Sequence, residues 1–443
     1  MNERKYSLFT AICMVTGIVI GSGIFFKADD ILHYTDGNVM LGILIFIIAS
    51  ISIVFGSLTI SQLAMRTDNA GGIIAYAEEF INRHTACAFG WFHFFIYLPS
   101  LIAIVAWVSA IYLCQLFGLD STLETQVLIG VAVTCLFLIL NLISAKLGGY
   151  LQNASMIMKL IPLVIFAVFG MIFGDLGSVV HQDIATFRHT AGAFTWVAAF
   201  APIAFSFDGW VVTTSLSHEI KNSRRNLPIA LTVSPIIILL VYVSYFVGIT
   251  TLLGADSVMA HGDASVYIAA NQLFGHFAGK VVLVFIVISV LGTLNGLILG
   301  FIRTPHALAK RNMLPMRDLI LRTGKEDAGY SVMSVVLAFI LAMLWSVFHY
   351  FSQKLKMPGD VSEIAICLSY LNYIILYVAV IRLARQKQIK GIFKGYLNPI
   401  LATIGSLIIF SGAIKNPMFW GSFPVFYGIA AIGYVYSKKH PDC

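Results

Sequence analysis

Gly17-Ile18-Val19-Ile20-Gly21-Ser22-Gly23-Ile24-Phe25 lies inside the first apolar segment of the chain, Leu8 to about Phe26. Three glycines in seven residues weaken a helix by roughly 1 kcal/mol each relative to alanine. In lipid no water repairs backbone groups freed by a break. Irregular backbone at that depth persists only inside protein or beside a wet cavity. Two readings follow. Gly17 and Gly21 form a GxxxG pair, a spacing that lets helices approach closely. The run Gly21-Ser22-Gly23 clusters more small residues than a packing face needs, and it sets adjacent amides where they can form an anion-binding nest. That run favours a helix that breaks.

The rest of the chain is of one kind. Of 443 residues, 59% are hydrophobic and 11% charged, with a mean hydropathy of +0.88. Soluble domains carry about 25% charged residues, so this is an integral membrane protein with no sizeable soluble part. The six cysteines are scattered, without a CxxC pair. Neither a zinc site nor a disulfide framework follows, and no cofactor is expected. Arg4 and Lys5 before an apolar run mimic a signal peptide. The long glycine-broken run without an A-x-A site instead predicts a retained first span.

Windows of about 20 residues predict twelve spans: 8–27, 39–65, 84–116, 124–144, 148–174, 192–217, 228–253, 277–309, 330–352, 362–384, 396–413 and 418–437. An even count puts both termini on one side. That side then holds 20 of the 28 basic residues and the other side six, with Lys159 and Arg303 inside spans. The positive-inside rule makes the richer side cytoplasmic. The formal charge of +7 is thereby absorbed by topology and anionic lipid, which leaves no reason to invoke nucleic acid.

The sixth span is the second unusual one. Ala201-Pro202-Ile203-Ala204-Phe205-Ser206-Phe207-Asp208-Gly209-Trp210 carries a proline, an acid and a glycine at mid-membrane depth. A charge there costs roughly 2.5–3.5 kcal/mol and ordinarily has a partner or faces water. Asp208 fits two roles: a substrate or proton carboxylate, or an N-cap for the half-helix that follows. Interrupted helices at corresponding positions of two halves point to a carrier's midplane binding site. With five helices per half, the repeats are about 8–174 and 192–384, and 396–437 holds two additional helices. Lys159 is the other notable residue. It lies about eleven residues into span five, roughly 16 Å along a helix, where snorkelling to the surface is marginal. A proton carrier and a fixed replacement for a metal ion both fit.

The ordered set of marks is similar to a known family. It comprises Gly21-Ser22-Gly23-Ile24-Phe25, Gly71-Gly72 with Tyr76, Lys159-Leu160-Ile161-Pro162 and Phe207-Asp208-Gly209-Trp210. Glu219, Lys221-Asn222, Asn226-Leu227-Pro228 and Leu294-Asn295-Gly296 before Arg303 complete it. The chain resembles the amino acid–polyamine–organocation superfamily and, within it, the L-type amino acid transporters. It looks most like the bacterial stand-alone exchangers of small neutral amino acids. Ser223 stands where the family usually has a proline.

The resemblance implies an all-α polytopic membrane protein: a 5+5 inverted-repeat, leucine-transporter-like fold with helices 1 and 6 broken, plus two helices, all in one domain over 1–443. It implies that the substrate carboxylate binds the backbone N–H groups of Ser22 and Gly23, with Gly21 opening the turn. The ammonium would bind carbonyls at Val19, Phe205 and Asp208, and Phe205 would gate the site from outside. Lys159 would stand where related carriers hold sodium, bridging helix 1 near Gly21 to helix 8 near Ser289, with Tyr242 supporting the same cluster. Animal members bond to a heavy subunit through a cysteine after span three. The loop from Phe117 to Glu124 has none, so no disulfide-linked heavy subunit is expected.

These readings imply a transporter of small neutral L-amino acids (the alanine, serine, threonine, cysteine class) in the cell membrane, with sodium-independent exchange by alternating access. A proton-coupled symporter using Lys159 is the alternative. An enzyme is disfavoured, because no HExxH, GxSxG or paired catalytic set occurs. A channel needs a polar ring or a continuous polar pore, which two interruptions at one depth do not supply.

Overall fold

In the computed structural model, the described residues are 7–21, 23–67, 71–143, 145–211, 220–325, 330–357 and 359–440; the side chains of 145–157, 278, 324 and 325 are outside the description. The described residues are helical almost throughout, and Gly324–Lys325 pairs with Tyr330–Ser331 in a two-residue antiparallel ladder. Among the described residues, nine helices are long and apolar enough to cross a membrane. Counting Met158–Phe173 with Leu176–Ala193, a pair bent by 88°, makes ten. The expected twelve are not all reached, for physical reasons. The sixth span stops as a short apolar helix, Thr195–Ser206, because it breaks. The twelfth, Phe419–Lys439, is rich in aromatic and glycine residues rather than aliphatic ones.

Helix starts follow capping chemistry. Helix α1 (Leu8–Val19) begins at Ser7, whose hydroxyl accepts from the Thr10 N–H. After the four-residue helix α2 (Gly23–Phe26) and helix α3 (Ala28–Tyr34), helix α4 (Val39–Ala64) begins at Asn38. The Asn38 side chain accepts from Leu41 N–H at 2.9 Å. Two further orphan N–H groups of α4 are met from outside: Val39 and Met40 donate to the Asp183 carboxylate at 3.0 and 2.7 Å. Such caps satisfy donors that a helix start otherwise leaves open.

Contacts divide the chain into two compact units that do not follow the sequence halves. The first contains residues 1–82, 163–269 and 366–416. In it, hydroxyls and small residues let helices approach. Ser50 and Ser57 of α4 donate to the Pro235 and Leu231 carbonyls of the helix Ser223–Leu253 at 3.2 and 3.0 Å. A Cβ on Gly170 would lie 2.2 Å from the Gly248 carbonyl oxygen, so that crossing depends on glycine.

The second unit contains residues 83–162, 270–365 and 417–443. Its long span Arg83–Phe117 includes a π-helical turn at His93–Tyr97, a form found mostly as single turns inside α-helices. Trp91 Nε1 donates to the Met313 carbonyl at 2.8 Å, and Asn141 Nδ2 donates to Asn295 Oδ1 at 2.9 Å.

Candidate functional site

Both expected interruptions are present, and both lie in the first unit. Helix α1 stops at Val19; Ile20 has ψ 92°, and α2 resumes at Gly23. Gly21 lies buried in the gap, and Ser22 falls outside the described residues. The sixth span is a 3-10 turn, Thr195–Ala199, and a helix, Phe200–Ser206. Phe207, Asp208 and Gly209 form a turn, and helix resumes at Trp210. Gly209 has φ +99°, a conformation that disfavours a side chain. Residues 212–219, including Glu219, are outside the description, as is most of the half-helix that Asp208 would cap.

The two breaks meet. The Tyr242 hydroxyl is 3.1 Å from the Val19 carbonyl oxygen, at the end of α1, and 2.9 Å from that of Ser206, at the end of the 200–206 helix. One phenol thus serves an orphan carbonyl from each interrupted helix. A Cβ on Gly23 would stand 3.1 Å from both a ring carbon of Phe205 and the Ser206 Cα, and one on Gly209 would stand 3.1 Å from the Ile18 side chain. Phe205 meets Phe26 edge to face at 5.4 Å between centroids. The Phe205 carbonyl already accepts the Asp208 N–H at 3.1 Å. The Thr16 hydroxyl oxygen, one turn before the first break, is buried without a hydrogen-bond partner among the described residues.

Lys159 and Ser289 belong to the second unit. Lys159 is 2% exposed, and its ammonium makes no hydrogen bond or ion pair among the described residues. The Ser289 hydroxyl is also buried without a partner among them.

Sequence reasoning missed several neighbours of the breaks. Trp210 Nε1 lies 3.4 Å from the Tyr370 hydroxyl and its ring packs edge-on against Tyr373. A Cβ on Gly56 would be 2.7 Å from the Tyr377 hydroxyl. Tyr370, Tyr373 and Tyr377 recur at i, i+3 and i+7, a helix-face signal readable in the sequence. Lys27 is 4% exposed, with Nζ 5.3 Å from the Phe205 ring centroid.

Many apolar helices, two of them interrupted and joined at their breaks, define a multi-pass membrane protein with freed backbone groups gathered in one place. The chain belongs to the amino acid permease family, whose model matches residues 6–433. It is similar to the serine/threonine exchanger SteT of Bacillus subtilis, 28% identical across 99% of this chain and 97% of that protein. It is also similar to human b(0,+)-type amino acid transporter 1, 23% identical over 94% of this chain and 84% of that one. The human cystine/glutamate transporter is 21% identical over 85% of this chain and 73% of its own length. These relatives are transporters, not enzymes, and the resemblance read from the motifs is borne out.

Proposed function

We propose that this permease exchanges small neutral L-amino acids of the alanine, serine, threonine and cysteine class, independently of sodium, by alternating access. The observation that carries the reading is the meeting of the two breaks at Tyr242, which gathers the Val19 and Ser206 carbonyls beside Gly23 and Phe205. The substrate carboxylate binds the N–H groups of Ser22 and Gly23, with Gly21 turning the chain. The ammonium binds carbonyls at Val19, Phe205 and Asp208. Phe205 closes the site from outside. The likeness to a serine/threonine exchanger supports the substrate class. Lys159 acts as a fixed positive charge in place of sodium. Its burial without an ion-pair partner among the described residues supports a functional cation, and equally the second reading, proton-coupled uptake.

The accompanying architecture is twelve spans in two inverted five-helix repeats plus two helices. Both termini are cytoplasmic, and no disulfide-linked heavy subunit is required. Proteoliposomes preloaded with serine or left empty test the function. Uptake of labelled serine only into preloaded vesicles, unchanged without sodium, is the expected result. Equal uptake into empty vesicles driven by a proton gradient selects the symporter. Undiminished competition by serine amide overturns the carboxylate contact, because unpaired buried groups cost about 1–3 kcal/mol.

A further inference from the structure

We propose that Lys27 is the positioning residue of the outer gate. Its ammonium, laid over the rings of Phe205 and Phe26 and tied to Asp30, holds Phe205 across the first helix break. The inference rests on the reading of Phe205 as that gate. Nζ lies 5.3 Å from the Phe205 centroid, 5.5 Å from the Phe26 centroid and 3.2 Å from Asp30 Oδ2. Phe26 is the last residue of α2, and Lys27 joins it to α3 with φ −118° and ψ −2°. One side chain therefore links the outer half of broken helix 1 to the inner end of the 200–206 helix.

The setting is that of a buried clamp rather than a surface charge. The Lys27 side chain is 5% exposed and that of Asp30 is 41% exposed. The ammonium also feels Asp29 on α3 and Asp263 on the turn Gly262–Ala264. Tyr245 stands behind this group, its ring edge-on to Phe25 at 5.5 Å, and its hydroxyl is buried without a partner among the described residues. A cation–π contact gains strength when the cation is desolvated. Lys27 loses its contact with the Phe205 face whenever Phe205 swings away, so outward opening must break the clamp. Asp30, ion-paired to the ammonium at 3.2 Å, keeps it in place while the gate moves.

The test separates the clamp from the transport reading. In oriented proteoliposomes, Lys27→Met should lower the outer-side KM and raise the inner-side KM, each roughly three- to tenfold, because the competent population sets apparent affinity. Lys27→Arg should restore both values. In a Phe205→Leu background, which lacks the ring face, Lys27→Met should change neither. Backbone hydrogen exchange supplies a readout that needs no substrate: peptides covering 23–34 and 200–207 should exchange faster in Lys27→Met than in wild type. Equal KM shifts on both sides, or an undiminished effect in the Phe205→Leu background, overturns the clamp. So does unchanged exchange in both peptides. A wild type that transports no neutral amino acid but shows the exchange difference instead overturns the function and keeps the clamp.

Discussion

The two helix breaks use glycine for different reasons. At the first, Gly23 has helical neighbours on its C-terminal side, and what it supplies is space: a Cβ would press on the Phe205 ring and on the Ser206 backbone at 3.1 Å. At the second, Gly209 supplies conformation as well, since its φ of +99° suits glycine, with Ile18 3.1 Å from a would-be Cβ. One break tolerates a neighbour that can shift. The other constrains its own backbone. The shared Tyr242 hydroxyl then makes each break depend on the other.

Breaking the first region should have the largest effect. Gly23→Leu should abolish exchange, by more than about 100-fold, while folding is retained, because the added side chain occupies the proposed carboxylate site. Gly23→Ala should be partial, since the Phe205 ring can move and the Ser206 Cα cannot. Exchange rates and size-exclusion profiles check both. Normal transport by Gly23→Leu would falsify substrate binding at this break. Lys159→Ala should slow exchange roughly tenfold, about 1.4 kcal/mol on the barrier, if its charge replaces a sodium ion. Inner-side affinity should change more than outer-side affinity. A sodium requirement in the wild type would refute the substitution.

Gly209→Ala should cost about 1–2 kcal/mol through left-handed strain, seen as a lower melting temperature with exchange reduced but present. If it is neutral while Gly23→Ala is not, the second break is less constrained than its φ implies. Tyr242→Phe sharpens the coupling between the two. It removes one donor from two carbonyls, at a cost of about 1–3 kcal/mol. Combined with Gly209→Ala, the loss should be non-additive, because the two residues act on adjacent residues of α1, Val19 and Ile18.

How much of this was legible follows from the kind of signal involved. Glycine clusters and a mid-span acid break a hydrophobic pattern locally, so both interruptions could be read at Gly21–Gly23 and Asp208–Gly209. The boundaries of Arg83–Phe117 and Leu123–Ile143 followed from length and apolarity alone. Partnerships across the fold leave no such local mark. Nothing in the sequence says that Asp183 caps α4, 144 residues away from Val39, or that Lys27 lies on Phe205. Tyr242 was legible only through resemblance, because one tyrosine in an apolar helix reads as core. Lys159 was legible by depth, and the structure keeps it buried at 2% exposure.

The smallest expected effect comes from the carboxylates behind the first break. Burial first, then the charges of Asp30 and Asp263, push the Asp29 carboxyl well above its ordinary value of 3.8, with Lys27 opposing. Burial and Asp30 push Asp263 the same way, again opposed by Lys27. The folded state therefore binds these protons more tightly than the unfolded chain does. Stability linked to them is present in full at low pH and is lost as pH rises from the ordinary carboxylate value through the raised ones. Wild-type protein in detergent should thus melt a few degrees higher at about pH 5.5 than at about pH 8.5. Asp263→Asn cannot ionise and relieves its neighbour, so its melting temperature should vary less over that window. Gly23→Ala, at the break itself, should keep the wild-type slope. A wild-type melting temperature that rises with pH, or an Asp263→Asn slope as steep as the wild type's, would place both carboxylates in a hydrated setting and detach them from the first break.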